Sequence, residues 1–251
     1  MYAGWLPYTL GSSGRPSTLF PSLKRIFLST PTALALYVAN NSAHSVKFME
    51  MALSGKTAME IRENGRALTS GLHQDARALT NLRITNPLGG EILRNIAQIT
   101  SLESLQICVS SKSSVEALHL DRLGQLAFLR RLCIKQNLDP KDREIAATSP
   151  NKPFDARRIE PLSFKVPRLQ ELRVVANGTA QFCIATALVP ENLEILTLSI
   201  PPDALNTQMV LIPNVMAMYA KGNPSLASFT VEAIHKGQDV RVVPEALEPF
   251  R

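Results

Sequence analysis

Residues 102–107 read Leu-Glu-Ser-Leu-Gln-Ile, and their spacing, Leu-x-x-Leu-x-aliphatic, recurs four more times along the chain. The five strict matches begin at Leu79, Leu102, Leu129, Leu169 and Leu193. A shuffled chain of this composition would contain about one such match, so the recurrence exceeds what abundant leucine alone produces. The sequence therefore predicts a repeat protein.

Three looser matches, at Leu23, Val46 and Leu226, extend the series at both ends. The eight starts are separated by 23, 33, 23, 27, 40, 24 and 33 residues. Four of these intervals fall within the roughly 20 to 29 residues of a leucine-rich repeat, which contains one strand and one returning segment. We therefore predict an α/β fold: a curved leucine-rich-repeat solenoid of about eight irregular repeats, with a parallel concave sheet and helices on the convex side.

The apolar positions of each repeat predict where the core lies. The second and third positions are two residues apart, so both side chains point to one face of a strand. One repeat cannot bury this face, but stacked repeats enclose it in a continuous core. Burying each aliphatic side chain stabilises the fold by roughly 1.5 to 3 kcal/mol. The leucines at the second position are expected in this core: Leu82, Leu105, Leu132, Leu172 and Leu196.

The predicted repeat array covers residues 23–235 and leaves a segment on either side. Residues 1–22 are rich in Gly, Pro and Ser and are expected to form an irregular lead-in. Residues 139–158 combine charges and prolines without an apolar period, which predicts a loop insertion. The tail, 236–251, is expected to add a last strand at 240–243. Apolar spacing predicts helices at 91–99, 114–128, 179–188 and 207–220.

Composition favours a globular protein from a reducing compartment. The chain has 251 residues, of which 45% are hydrophobic and 19% charged, unlike a disordered segment. Its three cysteines, Cys108, Cys133 and Cys183, fit neither a disulfide framework nor a CxxC metal site. No signal peptide is visible at residues 1–13, and no apolar run reaches the roughly 18 residues of a membrane span. We expect an intracellular protein, in cytoplasm or nucleus, that does not bind membranes.

The motifs of common catalytic and cofactor sites are missing from the sequence. It has no HExxH, GxSxG, GxxxxGK[ST] or GxGxxG segment, and its four histidines are isolated from one another. No activated nucleophile, general base or set of metal ligands is recognisable. We therefore expect that the chain is not an enzyme, has no catalytic residues, and needs neither a metal nor a cofactor.

A candidate partner-binding surface follows from the strand geometry. The residues on either side of the second apolar position project from the opposite face of the sheet. Arg83, Arg131 and Arg173 fall in the middle of this set, with Lys135 beside them, and would form a basic strip if the register is regular. Guanidinium groups suit carboxylates or phosphates of a partner. The predicted binding residues on the concave face are Arg83, Arg131, Lys135, Arg173, Gln106 and Glu171.

Two other interpretations of these cations stay open. They could simply be the solvated side of the sheet, pairing with Glu103, Glu171 and Glu194 on neighbouring strands. They could also bind a nucleic acid or another phosphate ligand, which the net charge of +6 would favour weakly. The basic residues are spread along the chain, however, whereas a dedicated nucleic-acid site concentrates them on one face. A protein partner is therefore the first hypothesis and nucleic acid the alternative.

Several phrases of the repeats resemble the repeat region of fungal F-box-like proteins, in which similar phrases recur at irregular intervals. They are Phe20-Pro-Ser-Leu-Lys-Arg-Ile, Leu102-Glu-Ser-Leu-Gln-Ile, Val166-Pro-Arg-Leu-Gln-Glu-Leu and Pro190-Glu-Asn-Leu-Glu-Ile-Leu-Thr-Leu. The resemblance covers residues 20 to about 235. It implies the substrate-recognition part of a cullin-based ubiquitin ligase, in which an F-box binds the Skp-type adaptor and the repeats hold the substrate. No F-box is recognisable here, so adaptor and cullin are expected partners only of a longer form that carries one.

Overall fold

One continuous sheet organises the part of the chain that the computed structural model describes. The described residues are 22–28, 45–52, 63, 65–66, 69, 72, 76–88, 90–110, 120–137, 166–175, 192–200, 225–235 and 238–242. Within them, nine strands lie side by side in the order in which they occur along the chain. The strands are β1 (Arg25–Leu28), β2 (Phe48–Met51), β3 (Asn81–Leu88), β4 (Ser104–Ser110), β5 (Arg131–Asn137), β6 (Glu171–Val175), β7 (Ile195–Ile200), β8 (Ser228–His235) and β9 (Gln238–Val242).

The first eight strands are parallel, as the repeat pattern predicts. Each of the eight pattern starts lies two residues before a strand, including the three looser matches at Leu23, Val46 and Leu226. The open parallel sheet, with few helices in the part of the chain that is described, agrees with an α/β solenoid. Parallel neighbours need a long return segment between them, which the intervals between starts provide.

The last strand, β9, pairs antiparallel with β8. Only residues 236 and 237 separate the two strands, and so short a connection can form a hairpin but not a parallel crossover. The tail was predicted to add a strand at 240–243, and the observed strand covers most of that range.

The register of the sheet is set by the buried second position of the repeats. A slip of one residue would turn every apolar side chain of a strand to the wrong face. The aligned residues are Ile26, Met49, Leu82, Leu105, Leu132, Leu172, Leu196 and Phe229. Between β3 and β4 the register shifts after Arg83, and pairing resumes at Pro87, which has no N–H to donate to a ladder.

The core lies on one side of this sheet and is aliphatic. The five predicted core leucines are each at most 2% exposed, which confirms their assignment. The returning segments close the same core. The α-helix α1 (Gly90–Ile96) contributes Ile92, Leu93 and Ile96 to it, and a 3₁₀ helix (Leu120–Gln125) contributes Leu120 and Leu123.

Helix α1 lies within the helix predicted at 91–99, apart from its first residue. Of the helix predicted at 114–128, residues 120–128 are described, and they form a 3₁₀ helix at Leu120–Gln125 that is followed by a turn. The buried residues of this segment, Leu120, Leu123 and Leu126, are spaced by three, and a 3₁₀ helix has three residues per turn. The predicted helices at 179–188 and 207–220, the loop at 139–158 and residues 1–21 of the lead-in lie outside the described residues.

A ladder of backbone hydrogen bonds aligns the starts of the strands. For each of β1–β7, the carbonyl oxygen of the residue before the strand accepts two N–H groups from the start of the next strand. For example, the oxygen of Glu103 accepts hydrogen bonds from Arg130 and Arg131 at 2.8 and 3.0 Å, and that of Arg130 accepts them from Gln170 and Glu171 at 2.9 Å each. The ladder therefore brings the polar residues at successive strand starts next to one another.

Candidate functional site

The side of β1–β8 opposite the core carries most of the chemically varied side chains, and we call it the open face. Its residues form rows, because pairing keeps equivalent positions of neighbouring strands side by side. The first row is Arg25, Phe48, Asn81, Ser104, Arg131, Glu171, Ile195 and Ser228, and the second is Phe27, Glu50, Arg83, Gln106, Cys133, Arg173, Thr197 and Thr230. A shorter third row is Cys108, Lys135, Val175, Ser199 and Glu232.

All six predicted binding residues lie on the open face, but they do not form one strip. Arg83, Gln106 and Arg173 belong to the second row, whereas Arg131 is in the first row and Lys135 in the third. Arg83 on β3 and Arg173 on β6 are three strand spacings apart, or about 14 Å. Glu171 stands in register with Arg131 in the first row. The cations are therefore spread over an area of β3–β6.

Arg83 pairs with a carboxylate on the preceding strand. Its Nη1 lies 3.4 Å from Oε2 of Glu50, the residue directly opposite it in the register. The two side chains remain 42% and 25% exposed. The Nε atom of Arg83 is buried without a hydrogen-bond partner among the described residues. The Arg83 guanidinium is thus partly buried in the sheet surface, and the carboxylate of Glu50 offsets part of its positive potential.

Arg173 belongs to a tighter arrangement that crosses three strands. Its Nη2 donates a hydrogen bond of 2.8 Å to Oε2 of Glu232 on β8, and its Nε donates one of 3.3 Å to Oγ of Ser199 on β7. The Ser199 hydroxyl in turn donates to Oε2 of Glu232 at 3.1 Å. Glu232 and Ser199 are buried. A charge-assisted hydrogen bond so placed is stronger than one between neutral groups.

The observed ion pairs of Arg83 and Arg173 differ from those expected for a merely solvated sheet surface, which were pairs with Glu103, Glu171 and Glu194. Among the described residues, Arg83 and Arg173 bind Glu50 and Glu232, and no ion pair joins them to Glu103, Glu171 or Glu194. The reason lies in the rows. Glu103 and Glu194 precede their strands and Glu171 is in the first row, so none of them stands opposite a second-row arginine.

Cys133 lies between the two arginines in the second row. Burial raises the pKa of its thiol, and Lys135, Arg173 and Arg83 offset part of this effect, while Glu171 adds to it. The Cys133 thiol is not part of a disulfide bond. Because the thiolate is the nucleophile, a raised pKa makes Cys133 a weak one.

A cavity opens where β5, β6 and β7 begin, and we call it the edge cavity. Its volume is about 310 Å³, and it is lined by Glu103, Arg130, Arg131, Gln170, Glu171, Glu194 and Ile195. Only two of the predicted binding residues, Arg131 and Glu171, take part in it. The other five lining residues were not predicted as binding residues. Most of them precede their strands and so lie outside the alternating strand positions from which the prediction was made. The available signal was the run of polar residues directly after the first leucine of these repeats.

Aromatic residues occupy the β1 end of the open face. The Phe27 side chain is exposed, at 66%, and its ring centroid lies 5.5 Å from that of Phe48. The guanidinium of Arg25 stands 6.0 Å from the centroid of the Phe48 ring. Phenylalanine and arginine are both enriched in protein interfaces, and here an exposed phenylalanine packs on a half-buried one beside an arginine. The open face therefore offers apolar contacts at one end and charges in its middle.

The described residues can also be compared with the requirements of a metal site and of a membrane-spanning helix. No group of three or more His, Cys, Asp or Glu side chains in them is arranged to hold a metal ion. Within the same ranges, every helix is too short or too polar to cross a lipid bilayer.

No protein-family model matches the chain, and no curated protein matches it either.

Proposed function

We propose that this chain is a non-enzymatic protein-binding module of the leucine-rich-repeat type, with the open face as its contact surface. The observation that carries the proposal is the contrast between the two faces of β1–β8. The buried face repeats apolar residues, with leucine at five of the eight second positions, whereas the side chains of the open face vary in charge, polarity and size from strand to strand. Aromatic residues and arginines, which are enriched in protein interfaces, are both among them.

The centre of the proposed contact surface is the set predicted from the sequence. Arg131 and Lys135 are its most informative members, because no ion pair among the described residues involves either side chain. Reversing Arg83 or Arg173 would also break an internal ion pair, which would confuse a loss of binding with a loss of stability. A charge reversal at Arg131 and Lys135 avoids this difficulty.

The test is capture of partners from the native cell by the R131E/K135E variant. We expect at least tenfold less of the native partner than with the unchanged chain, since charged contacts on both sides of the second row would be lost. The matched control is R77E/R94E, which makes the same charge change at exposed arginines before β3 and on α1. Equal capture by both variants, with equal thermal midpoints, would contradict binding through the open face.

A more specific part of the proposal concerns the kind of partner. The resemblance of the repeats to those of F-box-like proteins supports a substrate of a cullin-based ubiquitin ligase as the bound protein. The Skp-type adaptor and cullin would then be partners of a longer form that contains an F-box. Affinity purification of the native gene product tests this: if adaptor and cullin do not co-purify, the ubiquitin part is withdrawn and the binding module stands.

A second candidate function, binding of nucleic acid or another phosphate ligand, is favoured by one observation. Lys135, Arg173 and Arg83 are close enough to Cys133 that each lowers its pKa, so positive potential gathers at the middle of the open face. The ion pairs of Arg83 and Arg173 reduce that potential. Binding to a single-stranded oligonucleotide should fall steeply with salt, and K135Q should lower the log-log slope by about 1. A flat salt dependence would rule this candidate out.

A further inference from the structure

The edge cavity contains charges of both signs that do not neutralise one another through ion pairs. Glu103 lies at the start of β4, Arg130 and Arg131 at the start of β5, Glu171 on β6 and Glu194 before β7. Among the described residues, no ion pair joins any of these carboxylates to either arginine. From the start of β4 to the start of β7, the charged residues of the cavity are thus negative at β4, positive at β5 and negative at both β6 and β7.

The carboxylates at the β6–β7 end of the cavity have fewer opposite charges near them than the arginines at the β5 end. Arg131 stands in register with Glu171, but the equivalent positions on the far side of Glu194 are Ala227 and Ser228, which have no charge. Gln170 donates a hydrogen bond of 3.0 Å to Oε1 of Glu194, which orients that carboxylate and leaves Oε2 available. The carboxylates on β6 and before β7 therefore line one cavity, with no charged residue at the equivalent positions of β8.

Apolar surface lies next to these carboxylates. Ile195 lines the same cavity, stands opposite Glu171 in the register and is 39% exposed. A lysine or arginine side chain has a long aliphatic stem that covers apolar surface while its charged end reaches a polar partner. An exposed isoleucine beside two carboxylates is complementary to such a side chain.

From this complementarity we infer that the edge cavity binds an extended segment of the protein partner that has a basic and an acidic residue three positions apart. The basic side chain lies over Ile195 and reaches Glu171 and Glu194, and the acidic side chain contacts Arg130 and Arg131. The spacing follows from the sheet: β5 and β7 are two strand spacings apart, or about 10 Å. In a polyproline II segment, residues three apart lie on the same side and about 9 Å from one another. The inference rests on the proposed function, whose partner it describes.

The experiment uses a displayed library of random nine-residue peptides, selected on the intact chain and on two variants. E194K reverses a cavity charge, and E63K makes the same change at an exposed glutamate in the segment before β3. The unchanged chain and E63K should both enrich Lys or Arg three positions from Asp or Glu. A synthetic peptide from that selection should bind E194K at least tenfold more weakly than E63K.

A charge exchange separates recognition from a structural effect. The same peptide with its basic residue replaced by Glu should bind E194K more tightly than it binds the unchanged chain. No enrichment, enrichment without the charge pair, or equal binding to E194K and E63K would overturn the inference. The proposed function has its own test in the native partner and R131E/K135E. A failed library with partner capture still lost in R131E/K135E therefore removes the peptide inference alone.

Discussion

The open face carries two arginine–glutamate contacts that are built differently. On β2 and β3, Arg83 and Glu50 stand opposite each other at 3.4 Å, with side chains 42% and 25% exposed. On β6 and β8, Arg173 reaches across β7 to Glu232 at 2.8 Å, with side chains 33% and 11% exposed, and Ser199 bonds to both. We call the first the β2–β3 pair and the second the β6–β8 network.

An arginine and a glutamate therefore contribute differently to stability in the β2–β3 pair and in the β6–β8 network. An ion pair exposed to water gains little, typically from about 0 to 1 kcal/mol, because solvent screens the charges. A hydrogen bond to a charged group away from water contributes about 1.5 to 3 kcal/mol, and leaving one partner alone adds a cost. The β6–β8 network should thus join the last parallel strands, while the β2–β3 pair should contribute little to stability.

The largest expected effect is from Glu232→Ala in the β6–β8 network. Removing this carboxylate breaks the hydrogen bonds that Arg173 and Ser199 donate to it. We expect the free energy of unfolding to fall by about 2 kcal/mol, measured by urea denaturation. Glu232→Gln, which keeps the shape and loses the charge, should recover part of the loss. A fall of less than about 0.5 kcal/mol would place this contact in the same class as the β2–β3 pair.

A smaller effect is expected from Ser199→Ala. The hydroxyl is fully buried and links Nε of Arg173 to Oε2 of Glu232, but the direct bond between these two residues at 2.8 Å remains without it. The expected loss is about 1 kcal/mol by the same measurement. The exposed Ser228→Ala serves as the control, because it removes a serine hydroxyl from the open face that makes no hydrogen bond within the described residues. If the two variants unfold alike, the serine is not part of a stabilising network.

The β2–β3 pair should show a weaker and salt-sensitive contribution. We expect Glu50→Ala to reduce stability by about 0.5 kcal/mol at low salt, and by almost nothing at about 1 M salt, where the Debye length is only about 3 Å. The loss in Glu232→Ala should persist at the same salt, because burial limits screening. A salt-independent loss in Glu50→Ala would mean that the two contacts do not differ in exposure as described.

The smallest expected effect concerns Cys133, which lies between the two contacts. Both arginines lower its pKa, and Arg173 does so more strongly than Arg83. Arg173→Gln should therefore raise this pKa more than Arg83→Gln does, so that alkylation of Cys133, followed by peptide mass spectrometry, needs a higher pH in the first variant. The reverse order would show that Arg83 is nearer to the thiol.

The same thiol gives a stability effect with a definite sign. Its pKa is raised in the folded chain, so the unfolded chain loses the proton first as the pH increases. The contribution of the neutral thiol is present below the unfolded pKa and is lost as the pH rises through the folded value. Cys133→Ser should remove this part of the alkaline loss of stability, which pH-dependent thermal unfolding would detect.

The strands were predictable because their signal is local. Each repeat carries its own Leu-x-x-Leu-x-aliphatic spacing, and even the loose matches at Leu23, Val46 and Leu226 precede strands. The candidate site was less predictable. Sequence alternation placed Arg83 and Arg173 on the open face, but their partners depend on which strands are neighbours and how far a side chain reaches. Glu232 is 59 residues from Arg173 along the chain, and its contact crosses an intervening strand.

From the amino-acid sequence alone, the spacing of apolar residues specifies a parallel repeat sheet with one buried and one open face, because burial of Leu at a fixed period tolerates only one register. Which charges meet was decided by the tertiary structure. Stacking aligns strand starts that are 23 to 40 residues apart and so creates the edge cavity, the β2–β3 pair and the β6–β8 network. These depend on distances between strands, which no local pattern encodes.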